Sequence, residues 1–268
     1  MKLQNKPKKS LGQNFLIDKN IINKIIKIAN INQKDTIMEI GSGHGNLTEE
    51  IALLKPKNIL SIEKDKNLVQ ILRERLKGFK NIKIINQDIL NLINEYKFDK
   101  NVIVFGNLPY NISTKILSSL ILLNKWPPWY DVLIFMFQKE VAERIIAKSK
   151  TKEFGRLSIL SNWRLNVKRH FNVSRNCFYP KPNVDSTVLS FVPKRKNLFK
   201  LKNPKNLEEI TRIFFSSRRK MINKNFNKLF IKNTLIKNKL NIDLNKRPEE
   251  LSCETYYKIT AEYEKLFG

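Results

Sequence analysis

Glu39-Ile40-Gly41-Ser42-Gly43-His44-Gly45-Asn46-Leu47-Thr48 is the stretch that decides the fold class. It closes a short β-type run, TIMEIG (36–41), and leads into a helical pattern. Glycine reaches backbone angles closed to other residues and lets a ligand approach the main chain with no Cβ in the way. The helix that follows offers unpaired N–H groups in its first turn. The spacing is not that of the dinucleotide fingerprint, whose third glycine would fall at position 46, here Asn, and whose loop serves a pyrophosphate. Glycines alternating after an acidic strand end fit a smaller nucleoside without phosphates. Taken alone, the loop is also compatible with a plain strand-to-helix turn.

Outward from this loop, NILSIE (58–63), IKIINQD (82–88), VIVFGNL (102–108) and DVLIFMFQ (131–138) read as further strands. They are rich in Ile and Val and mostly apolar on both faces, as in a covered parallel sheet. Helical stretches separate them. Ile21, Ile22, Ile25, Ile26 and Ile28 form one apolar face; Leu68, Ile71, Leu72, Arg75 and Leu76 mark another. This alternation implies an α/β, doubly wound domain. The second strand ends at Glu63, where a carboxylate can accept from both hydroxyls of a ribose. The third ends at Asp88, after Gln87, placed to accept from an adenine amino group. Three such features at successive strand ends, where open α/β sheets bind ligands, point to S-adenosylmethionine ahead of a nicotinamide cofactor.

The fourth strand runs into Gly106-Asn107-Leu108-Pro109-Tyr110-Asn111-Ile112. An aromatic exocyclic amine is a poor nucleophile, because its lone pair is delocalised into the ring. Acceptors placed around its two protons favour a pyramidal nitrogen with a localised pair. The Asn107 side-chain oxygen can be one acceptor. The Leu108 carbonyl, just before a chain-directing proline, can be another. Tyr110 can stack on the base. Positioning and electrostatics then carry most of a methyl transfer, with no metal required.

The pattern changes after about residue 140. EVAERIIAK reads as a helix, and VDSTVLSFV (184–192) as a strand able to pair antiparallel at the sheet edge. Beyond Pro193 strands disappear. Residues 206–230 form a basic helical segment with a break near Ser216–Ser217, and 247–267 start as a helix with Pro248 in the first turn. The expected division is a catalytic domain over 1–195 and a small basic all-α domain over 196–268.

The chain has 268 residues, with 51 Lys plus Arg against 24 Asp plus Glu, a formal charge of +27. Such a charge repels itself in the folded state and calls for a polyanionic partner, in the first place nucleic acid. Residues 191–232 alone hold 13 Lys or Arg against two Glu. Arg218, Arg219 and Lys220 are the densest part and are the candidate RNA-binding residues. Lys2, Lys6, Lys8 and Lys9 form a second basic group. Two cysteines, Cys177 and Cys253, and two histidines, His44 and His170, exclude a disulfide scaffold and argue against a structural zinc site. His44 is expected to be exposed in its loop. No apolar run approaches the ~20 residues of a membrane span, and MKLQNKPKKSLGQNFL lacks the apolar stretch of a secretory signal. A monomeric cytoplasmic protein is the expectation.

Taken together, these motifs resemble the small-subunit ribosomal RNA adenine dimethyltransferases over nearly the whole chain. KKSLGQNFL (8–16), EIGSGHGNLT, IEKD (62–65), NQD (86–88), NLPYNIST (107–114), FYPKPNVDSTV (178–188), SSRRKMINKNF (216–226) and RPEEL (247–251) match the family's ordered motifs. Lys181 stands where a proline is common, and Ser42-Gly43-His44 varies the cofactor loop. The resemblance implies a Rossmann-like S-adenosylmethionine-dependent methyltransferase sheet with a small C-terminal all-α domain. It implies that Asn14 and Leu16 close over the cofactor. Gly41 would touch the methionine part, Glu63 the ribose and Asp88 the adenine. Asn107 and the Leu108 carbonyl would receive the target amine, and Tyr110 and Phe178 would sandwich the target base. The implied partner is small-subunit ribosomal RNA or the immature small subunit, with two adjacent adenines dimethylated. Alternatives are a large-subunit rRNA adenine methyltransferase of the resistance type and a non-catalytic assembly factor on the same scaffold.

Overall fold

The computed structural model describes residues 8, 12–93, 102–196, 199–231 and 234–268. Lys2, Lys6 and Lys9 of the N-terminal basic group lie outside them. The chain forms two compact units: Met1–Leu120, Pro127–Ala142 and Val167–Pro193 make the first, and Ile121–Trp126, Glu143–Asn166 and Lys194–Gly268 the second. The chain passes between units at 193/194, but the second unit also takes in 121–126 and 143–166, which a linear division at 195 assigns to the first.

The first unit is built on strands Thr36–Ile40 (β2), Asn58–Glu63 (β3), Ile82–Asn86 (β4), Val102–Gly106 (β5), Tyr130–Gln138 (β6), Leu165–Val173 (β7) and Ser186–Pro193 (β9). A separate short antiparallel pair joins Phe15–Leu16 (β1) to Phe178–Tyr179 (β8). Among the described residues the main sheet has the order β4-β3-β2-β5-β6-β9-β7. The pairs β4–β3, β3–β2, β2–β5 and β5–β6 are parallel, and β9 runs antiparallel to β6. Every residue of β5 is buried, which explains its unbroken apolar sequence. The expected strand over 184–192 exists, but it is not the edge. β7 lies outside it, and its Lys168 and Arg169 are the charges that blunt an exposed edge; those charges hid the strand in the sequence.

The order reverses between β2 and β5. The register there sets the site. Ile40 pairs with Gly106 on one side and with Ile62 on the other, and Glu63 pairs with Asn86. Gly41, Glu63 and Asn107 therefore leave the sheet at one level, with Asp88 just beyond it. Helices follow the strands: Lys19–Lys27 (α1), Asn46–Leu53 (α2), Lys66–Leu76 (α3), Ile89–Leu92 (α4) and Ser113–Ile121 (α5). Asp18, Asp65 and Asp88 cap α1, α3 and α4 by accepting from first-turn N–H groups. The α1 and α2 faces pack with the sheet in one apolar core that includes Ile22, Ile25, Ile37, Ile51, Phe105 and Phe178.

Lys139–Ile146 (α6) leads into the second unit, with Arg156–Arg164 (α7), Pro204–Phe215 (α8), Asn223–Phe230 (α9), Thr234–Leu240 (α10) and Cys253–Phe267 (α11). The helical break spans 216–222, wider than the Ser216–Ser217 step. The last helix begins at Cys253, capped by Ser252; Pro248–Glu250 form a separate 3₁₀ turn. Two buried charged groups organise this unit. The Arg164 guanidinium lies 4.0 Å from the Trp163 ring and 4.6 Å from the Trp126 ring and donates to the carbonyls of Ile121 (2.8 Å) and Leu123 (2.6 Å). Removing it would leave each carbonyl unpaired at a cost of ~1–3 kcal/mol. Glu264 accepts from the N–H groups of Lys202 and Asn203 at the start of α8 and from the Asn206 amide.

Candidate active site

The glycine loop is held in place by side chains far away in sequence. Gly41 and Gly43 have φ of +73° and +57°, and a Cβ on Gly43 would meet Phe15 Cδ1 at 2.9 Å. Arg75 of α3 donates to the His44 carbonyl (2.9 Å), to Asn46 Oδ1 (2.5 Å) and to Glu49 (2.6 Å). Asn46 in turn donates to the Leu16 carbonyl (2.8 Å). His44 is not exposed. It is 8% accessible, packs edge-on against Phe15 with ring centroids 4.1 Å apart, and neither ring nitrogen has a partner among the described residues. The loop curls inward over β1, so an imidazole that looks solvated in sequence is covered by a phenyl ring. Burial, then nearby Arg75, lowers its pKa, which favours the neutral ring.

A cavity of about 220 Å³ opens at the ends of β2, β3, β4 and β5. Its walls include Asn14, Gly41, Glu63, Asp88, Asn107, Leu108 and Tyr110. Glu63 accepts from the N–H groups of Gly43 (2.9 Å) and Asp65 (2.8 Å). Burial raises its pKa, and those two N–H groups oppose the rise. Asp88 accepts from Leu90 N–H and from Lys64 Nζ (2.9 Å). Burial pushes its carboxyl upward, but these bonds outweigh it and hold the pKa low. Asp65 is likewise held low, against burial, by Lys8 (2.9 Å), Gln13 (3.1 Å) and Asn67 N–H. Gln13 and Lys8 thereby fasten the segment that carries Asn14.

The donor set suits S-adenosylmethionine. Glu63 and Asp88 bring hydrogen-bond acceptors to the lining, Ile62 and Ile89 offer apolar faces, and a Cβ placed on Gly41 would have its nearest neighbour, Pro109 Cδ, at 3.9 Å. At the inner end, Asn107 Nδ2 donates to the Asn14 carbonyl at 2.9 Å. The amide nitrogen is thus engaged, and among the described residues Oδ1 has no hydrogen-bond partner. Tyr110 is half-buried with its hydroxyl 2.7 Å from Ser186 Oγ.

The family model described as ribosomal RNA adenine dimethylase matches residues 4–265. The chain belongs to the ribosomal RNA adenine dimethylase family. It is accordingly an S-adenosylmethionine-dependent adenine methyltransferase. It is 51% identical over 263 residues to the ribosomal RNA small subunit methyltransferase A of Pelagibacter ubique, covering 98% of this chain and 99% of that one. The protein of the same name from a Wolbachia strain of Drosophila simulans is 36% identical, covering 98% and 95%. Among solved structures, a dimethyladenosine transferase from Plasmodium falciparum aligns with a TM-score of 0.76 at 27% identity, covering 94% of this chain and 98% of that one. The 23S rRNA methyltransferase ErmE aligns at 0.67 and 22% identity, covering 94% and 99%, and shares the fold.

Within this adenine dimethylase, not every expected residue reaches the cavity. Leu16 and Phe178 pair across β1 and β8, are 5% and 3% exposed, and belong to the apolar core, whereas Tyr179 is 47% exposed. In the second unit Arg219 and Lys220 are exposed. Arg218 is engaged by Glu249 (2.9 Å) and by the carbonyls of Lys152 and Phe154, so it braces its own unit. Sequence reasoning missed Arg75, Asn46, Asp65 and Ser186 as supports, because the partners they hold, from 26 to 76 residues away, are marked by no spacing rule.

Proposed function

We propose that this protein transfers methyl groups from S-adenosylmethionine to the exocyclic amines of two adjacent adenines in small-subunit ribosomal RNA, within the cytoplasm, during ribosome biogenesis. The names of its relatives support the small-subunit target. One observation carries the chemistry: Asn107 is turned so that its nitrogen holds the Asn14 carbonyl, leaving Oδ1 as the acceptor. S-adenosylmethionine, when bound, supplies an electrophilic methyl group on a sulfonium. Glu63 and Asp88 would hold its ribose and adenine, and Gly41 its methionine end. Asn107 Oδ1 and the Leu108 carbonyl accept from the two amine protons of the target. The nitrogen lone pair is thereby released from the ring and would attack the methyl carbon in line, the carbon–sulfur bond breaking with its electron pair going to sulfur. The amine becomes cationic as the bond forms and loses its proton afterward, so no strong base is needed beside it.

Arg219 and Lys220, within the basic 191–232 stretch, are the RNA contacts of this reading, and Arg218 holds them in place. Doing chemistry on a base requires its removal from the stack, and Tyr110 would receive the freed ring. The deciding experiment incubates unmethylated small subunits with the purified protein and labelled cofactor, followed by mass spectrometry of the RNA. Dimethyladenine at two neighbouring positions is expected; label appearing only in protein-free large-subunit RNA would overturn the reading. RNA affinity is also expected to fall steeply with salt, because neutralised phosphates release counterions. A flat plot of log affinity against log salt would remove the electrostatic role of the +27 charge.

A further inference from the structure

We infer that Ser186 is a positioning residue that fixes the Tyr110 ring, so that a target adenine is retained through both of its methylations. This rests on the adenine-dimethylating function proposed above. Tyr110 sits in an irregular loop between β5 and α5, anchored locally by Ser113 Oγ donating to its carbonyl at 3.2 Å. Its hydroxyl has a second anchor, Ser186 Oγ at 2.7 Å, 76 positions away. Ser186 is fully buried and is the first residue of β9, in register with Gln138 of β6. The residue before it is fastened twice: the Asp185 carbonyl accepts from Lys139 N–H (2.9 Å), and its Oδ1 accepts from Arg175 N–H (2.9 Å). Thr187, just after, donates to Asn172 Oδ1 at 2.9 Å. A loop tyrosine is thus tied to a strand end that is itself held on both sides.

The tie has two consequences. The hydroxyl is occupied, so the ring face, not the oxygen, is what Tyr110 offers to a base. The ring is also ordered before the base arrives, which removes the entropy cost of ordering it on binding. Dimethylation makes a particular demand on such a ring. The amine forms one N–C bond and releases one proton per transfer, and the cleaved sulfonium leaves as the thioether. A fresh methyl donor must then enter while the monomethylated base stays in place. A ring that holds its orientation keeps the base seated during that exchange. A ring free to swing releases it after one methyl.

The test compares Ser186→Ala, Tyr110→Phe and the double variant on unmethylated small subunits, with mono- and dimethyladenine counted by mass spectrometry over time. Each single change is expected to raise the ratio of mono- to dimethyladenine about five- to tenfold, the scale of one lost hydrogen bond, and to raise KM for the RNA more than it lowers kcat of the first transfer. The double variant is expected to match the single ones, because both remove one bond. Multiplied effects in the double variant, or a wild-type ratio in either single one, would overturn the inference. If Ser186→Ala fails to fold, Tyr110→Phe decides alone, since it cuts the bond from the other side with little change in volume. A wild-type protein that methylates no adenine would overturn the proposed function as well, whereas an active wild type with unaltered variants overturns only the role of Ser186.

Discussion

Replacing Asn107 with Ala is expected to lower the rate of methyl transfer by ~100-fold or more, the scale of one oriented transition-state contact. That corresponds to roughly 2.7 kcal/mol of activation free energy. The loss should fall on kcat, because the acceptor matters most when the amine pyramidalises. Asn107 also holds the Asn14 carbonyl, so a weaker effect on cofactor affinity, within several-fold, should accompany it. Asn107→Asp separates the two roles. It keeps an acceptor but cannot donate to Asn14, so it should bind cofactor less well yet retain more turnover than the Ala variant. Single-turnover kinetics with equilibrium cofactor binding would read both. Near-normal turnover of Asn107→Ala would sink the assignment.

The pH dependence of stability should carry the second large effect, through Glu39. This residue sits inside β2 at 2% exposure, accepting from Thr48 Oγ1 at 2.5 Å. Burial pushes its pKa from 4.5 up to about 8, with Glu63 adding to the rise and the Thr48 and Ser42 hydroxyls opposing it. A carboxyl whose pKa is higher folded than unfolded binds its proton more tightly in the native state. Its stabilising contribution is complete below pH 4.5 and declines as pH rises, until it is exhausted above about 8. The decline over that window is on the order of 4–5 kcal/mol. Glu39→Gln keeps the shape and removes the titration. Denaturant unfolding from pH 5 to 9 should therefore show wild type losing stability relative to the Gln variant. Parallel curves for the two proteins would show that Glu39 is already solvated in the fold.

The same residue illustrates a limit of sequence reading. Glu39 is the acidic strand end that opens the glycine-rich stretch, and its buried carboxylate accepts from Thr48 of α2. The carboxyls that line the cavity are Glu63 and Asp88; Glu63 also braces the glycine loop, and Asp88 caps α4. Period and strand-end position identified them as candidates. Asp65 N–H reaches Glu63 from two residues on, but the Gly43 and Lys64 partners follow only from the parallel register of β2, β3 and β4.

Local chemistry in the chain determined the α/β alternation, the cofactor loop and the Asn-Leu-Pro-Tyr segment, because turn-forming glycines, β-branched strands and a proline act over a few residues. It also determined the basic helical region, since charge is additive and needs no geometry. The tertiary structure alone decided that His44 is covered by Phe15, that Phe178 faces the core while Tyr179 faces solvent, and that Arg218 braces while Arg219 and Lys220 stay exposed. It alone placed β7 outside β9 and joined 143–166 to the C-terminal unit. These outcomes depend on which distant surfaces meet. Burial and long-range hydrogen bonding, worth more than any local preference at those positions, select among conformations that the residues individually allow.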